Sequence, residues 1–429
     1  MRKTIQLLFA LALLASCAGR NEGNFHLTGT IEGAEGKHVL VFPADVKDIF
    51  HGEKPLAKIR IRNNKIEAFL SLDSNSVYEL FVPNRKEGGS YAGLPIFVDS
   101  PELYVTYSKS QGGDSRIYTS SESPLNAFYS SYRESKDKAL QDDTAECHRL
   151  FDSLARANTY YTKEYQEFLD RYYASSGAKR DSLTVLLSKL EMSGEMLTPE
   201  GQARDSLAIE IRKRELDYDK DHLCGEKPTL ATFYLVAQAM KTALKLNHDV
   251  SFWLSHYDEV YKNLFPGCNV HNLAKEAIEG AKIYEGAPYQ DFTLPDTEGN
   301  RVSLSSLIDG KVALLDLWAS WCGPCRSNSR LLVPIYEKYK DAGFTVVGAA
   351  REFKDSEWKK SLGAGRISVD EPDRSGRGPC RLDIVRCREW RRRPFPHRPG
   401  RNHPQDQPHP RRGGSRYPGE SVIKCLSAN

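Results

Sequence analysis

Val312-Ala313-Leu314-Leu315-Asp316-Leu317-Trp318-Ala319-Ser320-Trp321-Cys322-Gly323-Pro324-Cys325 decides how this chain is read. Its first seven residues are apolar except for Asp316, the pattern of a strand buried on both faces. The two cysteines then stand three apart where a helix is expected to open, so they can close a small disulfide ring. Unpaired backbone N–H groups and the helix dipole favour a thiolate at the first position. Cys322 is therefore expected to be the exposed nucleophile and Cys325 the more buried thiol that resolves a mixed disulfide. Pro324 fixes one φ and removes a backbone donor, which constrains the ring.

Outward from this stretch the order is strand, helix, strand, helix. Gly286-Ala287-Pro288 marks a boundary, a turn at Asp296–Asn300 precedes Val302-Ser303-Leu304, and a helix from the cysteine pair runs to about Lys340. Phe344–Gly348 reads as a second strand and Ser356–Leu362 as the start of another helix. That order predicts an α/β domain over 285–363. The WCGPC pattern, with Asp316 six residues before Cys322, resembles the thioredoxin superfamily. Pro288–Leu307 is similar to the entry of its TlpA/ResA-like branch, and the resemblance covers about 75 residues.

The resemblance implies a thiol-disulfide oxidoreductase that cycles Cys322 and Cys325 between dithiol and disulfide. Trp321, Gly323, Pro324 and Asp316 would support the pair, and Asp316 would accept the proton of Cys325. It also implies reduction of exported disulfide-containing proteins, recharged by a membrane or periplasmic electron donor, because the Gly-Pro dipeptide resembles reducing members. No metal, nucleotide or flavin cofactor is implied. Three other assignments for the cysteine pair and the chain make different demands on the sequence. Half of a zinc site would need a second ligand pair at suitable spacing, and none stands upstream. A peroxidase of the AhpC/TSA-like redoxin type would need Thr or Ser three residues before the reactive cysteine and a Pro further back; Ala319 and Leu315 stand there. A non-catalytic surface or binding lipoprotein would place the function upstream of the cysteines.

The N-terminus reads as a processing signal over 1–16: Arg2 and Lys3, then apolar Leu7–Leu14, then Leu14-Ala15-Ser16-Cys17. The apolar stretch is too short to span a bilayer. It looks like a bacterial lipobox, which implies lipidation of Cys17 and a protein anchored by its lipid in the envelope of a Gram-negative bacterium, facing the periplasm or the surface. The alternative is an ordinary secretory signal with an incidental cysteine. Residues 24–120 alternate as short strands do, with a hairpin expected at Asn63-Asn64 between Ile61 and Ile66, and predict a β-sandwich. This part also resembles the module that often precedes TlpA-like domains in lipoproteins. Residues 121–284 read as helical: Thr198-Pro199 has the form of a cap followed by the first helical residue, and Phe233, Leu235, Val236, Met240 and Leu244 form an apolar stripe. His148, His222, His248 and His256 are isolated and read as ordinary residues. Cys147, Cys224 and Cys268 show no pairing pattern.

After Gly363 the composition changes. In these last 66 residues Arg exceeds Lys fourteen to one and nine of the 22 prolines occur, so no core can be built from them. A thioredoxin-like domain needs two further strands, a cis-Pro loop and a last helix, so the domain is incomplete here. A disordered basic arm would suggest nucleic acid, an odd partner for an exported lipoprotein, and no nucleic-acid partner is expected. The other reading is out-of-frame translation of 364–429. Reading the last two bases of each codon with the first of the next, from Gly363, permits EQEGYPWMNLIDLD, WTLYGVGNGAGGPFLID and AGIILKINPTPEEVARDILENQL. Those strings restore a strand, a Gly-Gly-Pro loop and an amphipathic helix.

Overall fold

The computed structural model describes residues 23–46, 54–83, 91–109, 115–120, 122–176, 193–296, 299–319, 322–351, 383–386 and 424–427, with positions 180, 183, 186, 187 and 190. The signal expected at 1–16, the expected lipidation position Cys17, Trp321, the helix expected over Ser356–Leu362 and most of the tail lie outside these. Among the described residues no helix is long and apolar enough to cross a membrane.

Eight strands open the chain: β1 Phe25–Ile31, β2 His38–Pro43, β3 Ala57–Arg60, β4 Lys65–Leu70, β5 Val77–Pro83, β6 Tyr91–Phe97, β7 Glu102–Lys109 and β8 Ser115–Ser120. They form two four-stranded sheets, β4-β1-β7-β8 and β3-β2-β5-β6. Alternation explains the arrangement: Phe25, Leu27 and Ile31 of β1 join Val39 and Val41 of β2 in one apolar core shared by both sheets. Asn63 and Asn64 take the positive φ that a tight turn demands, at 52° and 57°. The expected hairpin is only one rung long, an Arg62–Lys65 bridge. β3 pairs with β2 and β4 with β1, so this turn carries the chain from one sheet to the other. The reason is burial: Ile61 and Ile66 on either side of the turn both sink into the shared core.

Helices follow: α1 Pro124–Ala139, α2 Gln141–Ala157, α3 Lys163–Tyr173, α4 Pro199–Leu223, α5 Leu230–Leu246, α6 Val250–His256, which continues as a π-helical turn Tyr257–Tyr261, and α7 Val270–Ala281. Local chemistry sets their starts. Thr198 Oγ1 accepts the Gly201 N–H at 3.0 Å ahead of Pro199, and Thr229 and Thr232 cap α5 reciprocally. Asn247 ends α5 in the left-handed conformation.

The compact units cut across the sequence boundary between strands and helices. The described residues up to 140 and those of 213–281 form one; those of 141–212 and from 282 onward form the other. In the first unit α5 carries eleven buried residues, far more than a one-sided stripe. Its Phe233, Val236 and Met240 share a core with Ala44, Val77 and Phe97 of the strand region. Each fully buried side chain of this kind contributes about 1.5–3 kcal/mol. Lys136 of α1 pairs with Asp219 of α4 at 2.6 Å, and Tyr132 donates to the same carboxylate oxygen at 2.5 Å.

The second unit holds the α/β part. β9 Thr293–Pro295 and β10 Arg301–Ser303 form a small antiparallel pair around the Asp296–Asn300 turn. α8 Leu304–Ile308 follows, its start fastened by Asp291, whose carboxylate accepts the Ser305 N–H and Oγ–H at 2.9 and 2.7 Å. Those bonds hold the Asp291 carboxyl below its ordinary range. β11 Val312–Trp318, α9 Gly323–Tyr339, a 3-10 turn Lys340–Ala342 and β12 Phe344–Ala350 complete the expected strand-helix-strand order, with β11 and β12 parallel.

Two pieces of the tail, β13 Asp383–Arg386 and β14 Lys424–Ser427, extend this sheet to the order β13-β12-β11-β14. This differs from a tail disordered throughout. Strand pairing uses backbone N–H and C=O groups, which every non-proline residue offers, so edge positions beside β11 and β12 accept a sequence with no core of its own.

Candidate redox site

Alternation along β11 sorts its side chains onto two faces. Ala313 and Leu315 pack with Leu304, Ile308 and Val347. Leu314 packs with Leu332 of α9, and Trp318 with the cysteine pair. Asp316 falls between Leu314 and Trp318 on the α9 face, and a polar group there requires a partner from α9. Ser329 supplies it: its Oγ lies 2.5 Å from Asp316 Oδ2 and 3.0 Å from the Cys325 carbonyl oxygen.

The cysteines sit where β11 hands over to α9. Cys322 donates its N–H to the Ala319 carbonyl at 3.1 Å, closing the turn. It is the N-cap of α9, and its sulfur accepts the Cys325 N–H at 3.3 Å, a bond that Ser or Asn would usually provide. Gly323 and Pro324 are the first two helical residues, and proline there forfeits only a donor that the helix leaves unpaired. Cys322 and Cys325 are joined in a disulfide, with Cα atoms 5.3 Å apart. Trp318, Ala319 and Ala350 surround them.

One expectation is corrected. Cys322, predicted to be the exposed thiol, is 3% exposed, the same as Cys325. Its sulfur is bonded to the Cys325 sulfur and accepts the Cys325 N–H, and the pair packs in one buried cluster with Trp318, Ala319 and Ala350. The site brings together Cys322, Cys325 and, through Ser329, Asp316.

Ser329 was not singled out from the sequence. Its signal was present: it lies four residues after Cys325 on the same helical face, and Asp316 shares a strand face with Trp318. The remaining described thiols, Cys147, Cys224 and Cys268, are free, and burial pushes each of them up, away from reactivity. Of the four histidines read as ordinary, His248 approaches Asp217 and Asp249 closely enough for a three-ligand group. Its Nε2 meets Asp217 Oδ1 at 3.0 Å, while Asp249 pairs with Lys220 at 2.8 Å.

Residues 284–371 match the family model described as Redoxin. The thiol-disulfide oxidoreductase ResA of Bacillus subtilis (strain 168) is 37% identical over 81 residues, which cover 19% of this chain and 44% of ResA. The "Probable phospholipid hydroperoxide glutathione peroxidase 6, mitochondrial" of Arabidopsis thaliana is 47% identical over 75 residues, 18% of this chain and 32% of that protein. The chain thus spans less than half the length of either relative. Among solved structures, the thioredoxin domain of a thiol-disulfide oxidoreductase from Bacteroides vulgatus is 27% identical, with 24% of this chain and 64% of that chain covered and a TM-score of 0.20.

Proposed function

We propose that this chain, a TlpA/ResA-like member of the thioredoxin superfamily, is a thiol-disulfide oxidoreductase that reduces disulfides in exported proteins. The observation that carries the reading is the Cys322–Cys325 disulfide at the N-terminus of α9, with Asp316 tied to that helix. In the reduced state the N-terminal N–H groups of α9 stabilise a Cys322 thiolate. That sulfur attacks one sulfur of a substrate disulfide, forming a mixed disulfide and expelling the other substrate sulfur as a thiolate. Cys325 then gives its proton to Asp316, and its thiolate attacks Cys322, closing the internal disulfide and releasing the second substrate thiolate. Two electrons pass to the substrate, and the chain ends in the oxidised form described above. A dithiol donor of the membrane or periplasm returns it to the start.

Gly323 and Pro324 hold the ring geometry, and Trp321 flanks the cysteine that meets the substrate. A lipid on Cys17 would keep the site at the envelope surface, beside its substrates. The two sheets over one apolar core favour a β-sandwich for residues 24–120.

A second reading, peroxide reduction at Cys322, draws support from the Arabidopsis thaliana relative. Ala319 and Leu315 stand where a peroxidase of the AhpC/TSA-like type needs Thr or Ser and Pro, which favours the first reading. The two separate in one experiment. The reduced chain is offered insulin or tert-butyl hydroperoxide, with Cys322→Ser as control and Cys325→Ser as trap. We expect insulin reduction that is lost in Cys322→Ser, and a mixed disulfide on Cys322 in Cys325→Ser. Turnover with the hydroperoxide alone would replace the first reading by the second, and turnover with neither would sink both.

A further inference from the structure

We propose that Ser329 is a positioning residue that keeps Asp316 competent to take the Cys325 proton; this rests on the reading of Asp316 as the acceptor. The argument is a count of protons. Ser329 is 3% exposed and has one hydroxyl hydrogen, yet two acceptors lie within reach, Asp316 Oδ2 at 2.5 Å and the Cys325 carbonyl at 3.0 Å. While Asp316 is ionised, the hydrogen belongs to the carboxylate, the stronger acceptor. When Asp316 takes a proton, its own O–H donates to Ser329 Oγ, and the Ser329 hydrogen turns to the Cys325 carbonyl one helical turn back. A rotation of one hydroxyl satisfies both protonation states and moves no heavy atom. The same rotation ties the charge on Asp316 to the backbone of the cysteine whose proton it receives.

Alanine at 329 would remove a donor to the ionised form, so Asp316 would hold its proton more tightly and be ionised, hence able to accept the Cys325 proton, only at higher pH. Several other groups can carry charge on the elements packed against this part of β11. They are Cys325, Arg326 and Arg330 on α9, Arg351 just after β12 and Lys424 on β14; Gly348, opposite Asp316 on β12, adds none. None of these is altered by the substitution. Alanine is also the best helix former, so α9 is retained.

The test uses the reduced full chain and one equivalent of 5,5′-dithiobis(2-nitrobenzoate). Attack by Cys322 releases one thionitrobenzoate, and attack by Cys325 on the resulting mixed disulfide releases the second. The rate of the second release is followed against pH in the unaltered chain, Ser329→Ala, Ser329→Thr, Asp316→Asn and the double variant Asp316→Asn/Ser329→Ala. We expect Ser329→Ala to move the acid limb up by about one pH unit, roughly tenfold in rate below it. Ser329→Thr should restore the limb, and Ser329→Ala should add nothing in the Asp316→Asn background. A Ser329→Ala profile that superimposes on the unaltered one, or a shift that persists without the Asp316 carboxylate, overturns the proposal while the redox reading stands. A second release that ignores Asp316→Asn overturns it together with the acceptor role of Asp316. No second release from the unaltered chain overturns the redox reading itself.

Discussion

Single side chains in this protein differ most in how their polar atoms are treated once buried. The His256 ring lies parallel to Phe252, with centroids 6.1 Å apart, and edge-on to Tyr261 at 5.8 Å. Its Nε2 is buried with no hydrogen-bond partner among the described residues. Burial holds its pKa below the ordinary 6.5, with Glu259 partly opposing. A histidine depressed in this way binds its proton more readily in the unfolded chain, so stability falls as pH drops through 6.5 towards the folded value. Thermal melts between pH 7.5 and 5 should therefore show a loss of Tm that is smaller in His256→Phe. Equal slopes in the two proteins would rule this out. The same burial makes Cys147 and Cys268 poor thiolates. Alkylation of the native reduced chain should label Cys322 well before either of them, and mass mapping of the first label checks it.

At the scale of elements, a few contacts fix how neighbours meet. The side chains of Lys136 and Asp219 are each only 10% exposed where α1 meets α4, and Tyr132 donates to the same oxygen. Burial, then the Asp219 charge, pushes the Tyr132 phenol far above its ordinary value, so it remains a donor. Asp219→Asn should leave the Lys136 charge buried without a counter-ion and cost about 3–5 kcal/mol, read from urea unfolding. A cost below about 1 kcal/mol would mean that the pair behaves as a surface one. In the first sheet, Gly29 of β1 faces β7 so closely that an added Cβ would stand 2.4 Å from the Val105 carbonyl oxygen. Gly29→Ala should lower the melting temperature although glycine is ordinarily the weaker strand residue. An unchanged or raised Tm would contradict the close approach.

For the whole molecule, the open question lies after Lys360, and a tryptic digest of protein from the native source answers it. A peptide SLGAGR means that the chain is made as written, with β13 and β14 as its added strands. A peptide beginning SLEQEGYPW means that 364–429 is out of frame and that the redox domain continues with its own strands and helix. The second outcome is the one we expect, because the written tail has one Lys to fourteen Arg and nine prolines, and no apolar pattern able to build a core.

The strand Val312–Trp318, the helix opened by the cysteine pair and the parallel strand after it were legible in the sequence, because each has a strong local cause. These causes are an apolar run broken only by Asp316, a proline at a helix start and a second short apolar run at Phe344–Gly348. The same locality made the Cys322–Cys325 pair readable at three-residue spacing. Other features depended on partners far apart in the chain. The Asn63-Asn64 turn looks like a hairpin until burial of Ile61 and Ile66 sends its two strands to different sheets. The apolar α5 looks one-sided until Ala44, Val77 and Phe97 arrive from the strand region to cover it. Cys322 looks exposed until Trp318, Ala319 and Ala350 pack around the cysteine pair, and Ser329 looks incidental until β11 brings Asp316 to its hydroxyl. Residue type and spacing along the chain determined the chemistry; which buried polar atom meets which was decided only when tertiary packing excluded water and left each of them to find a partner.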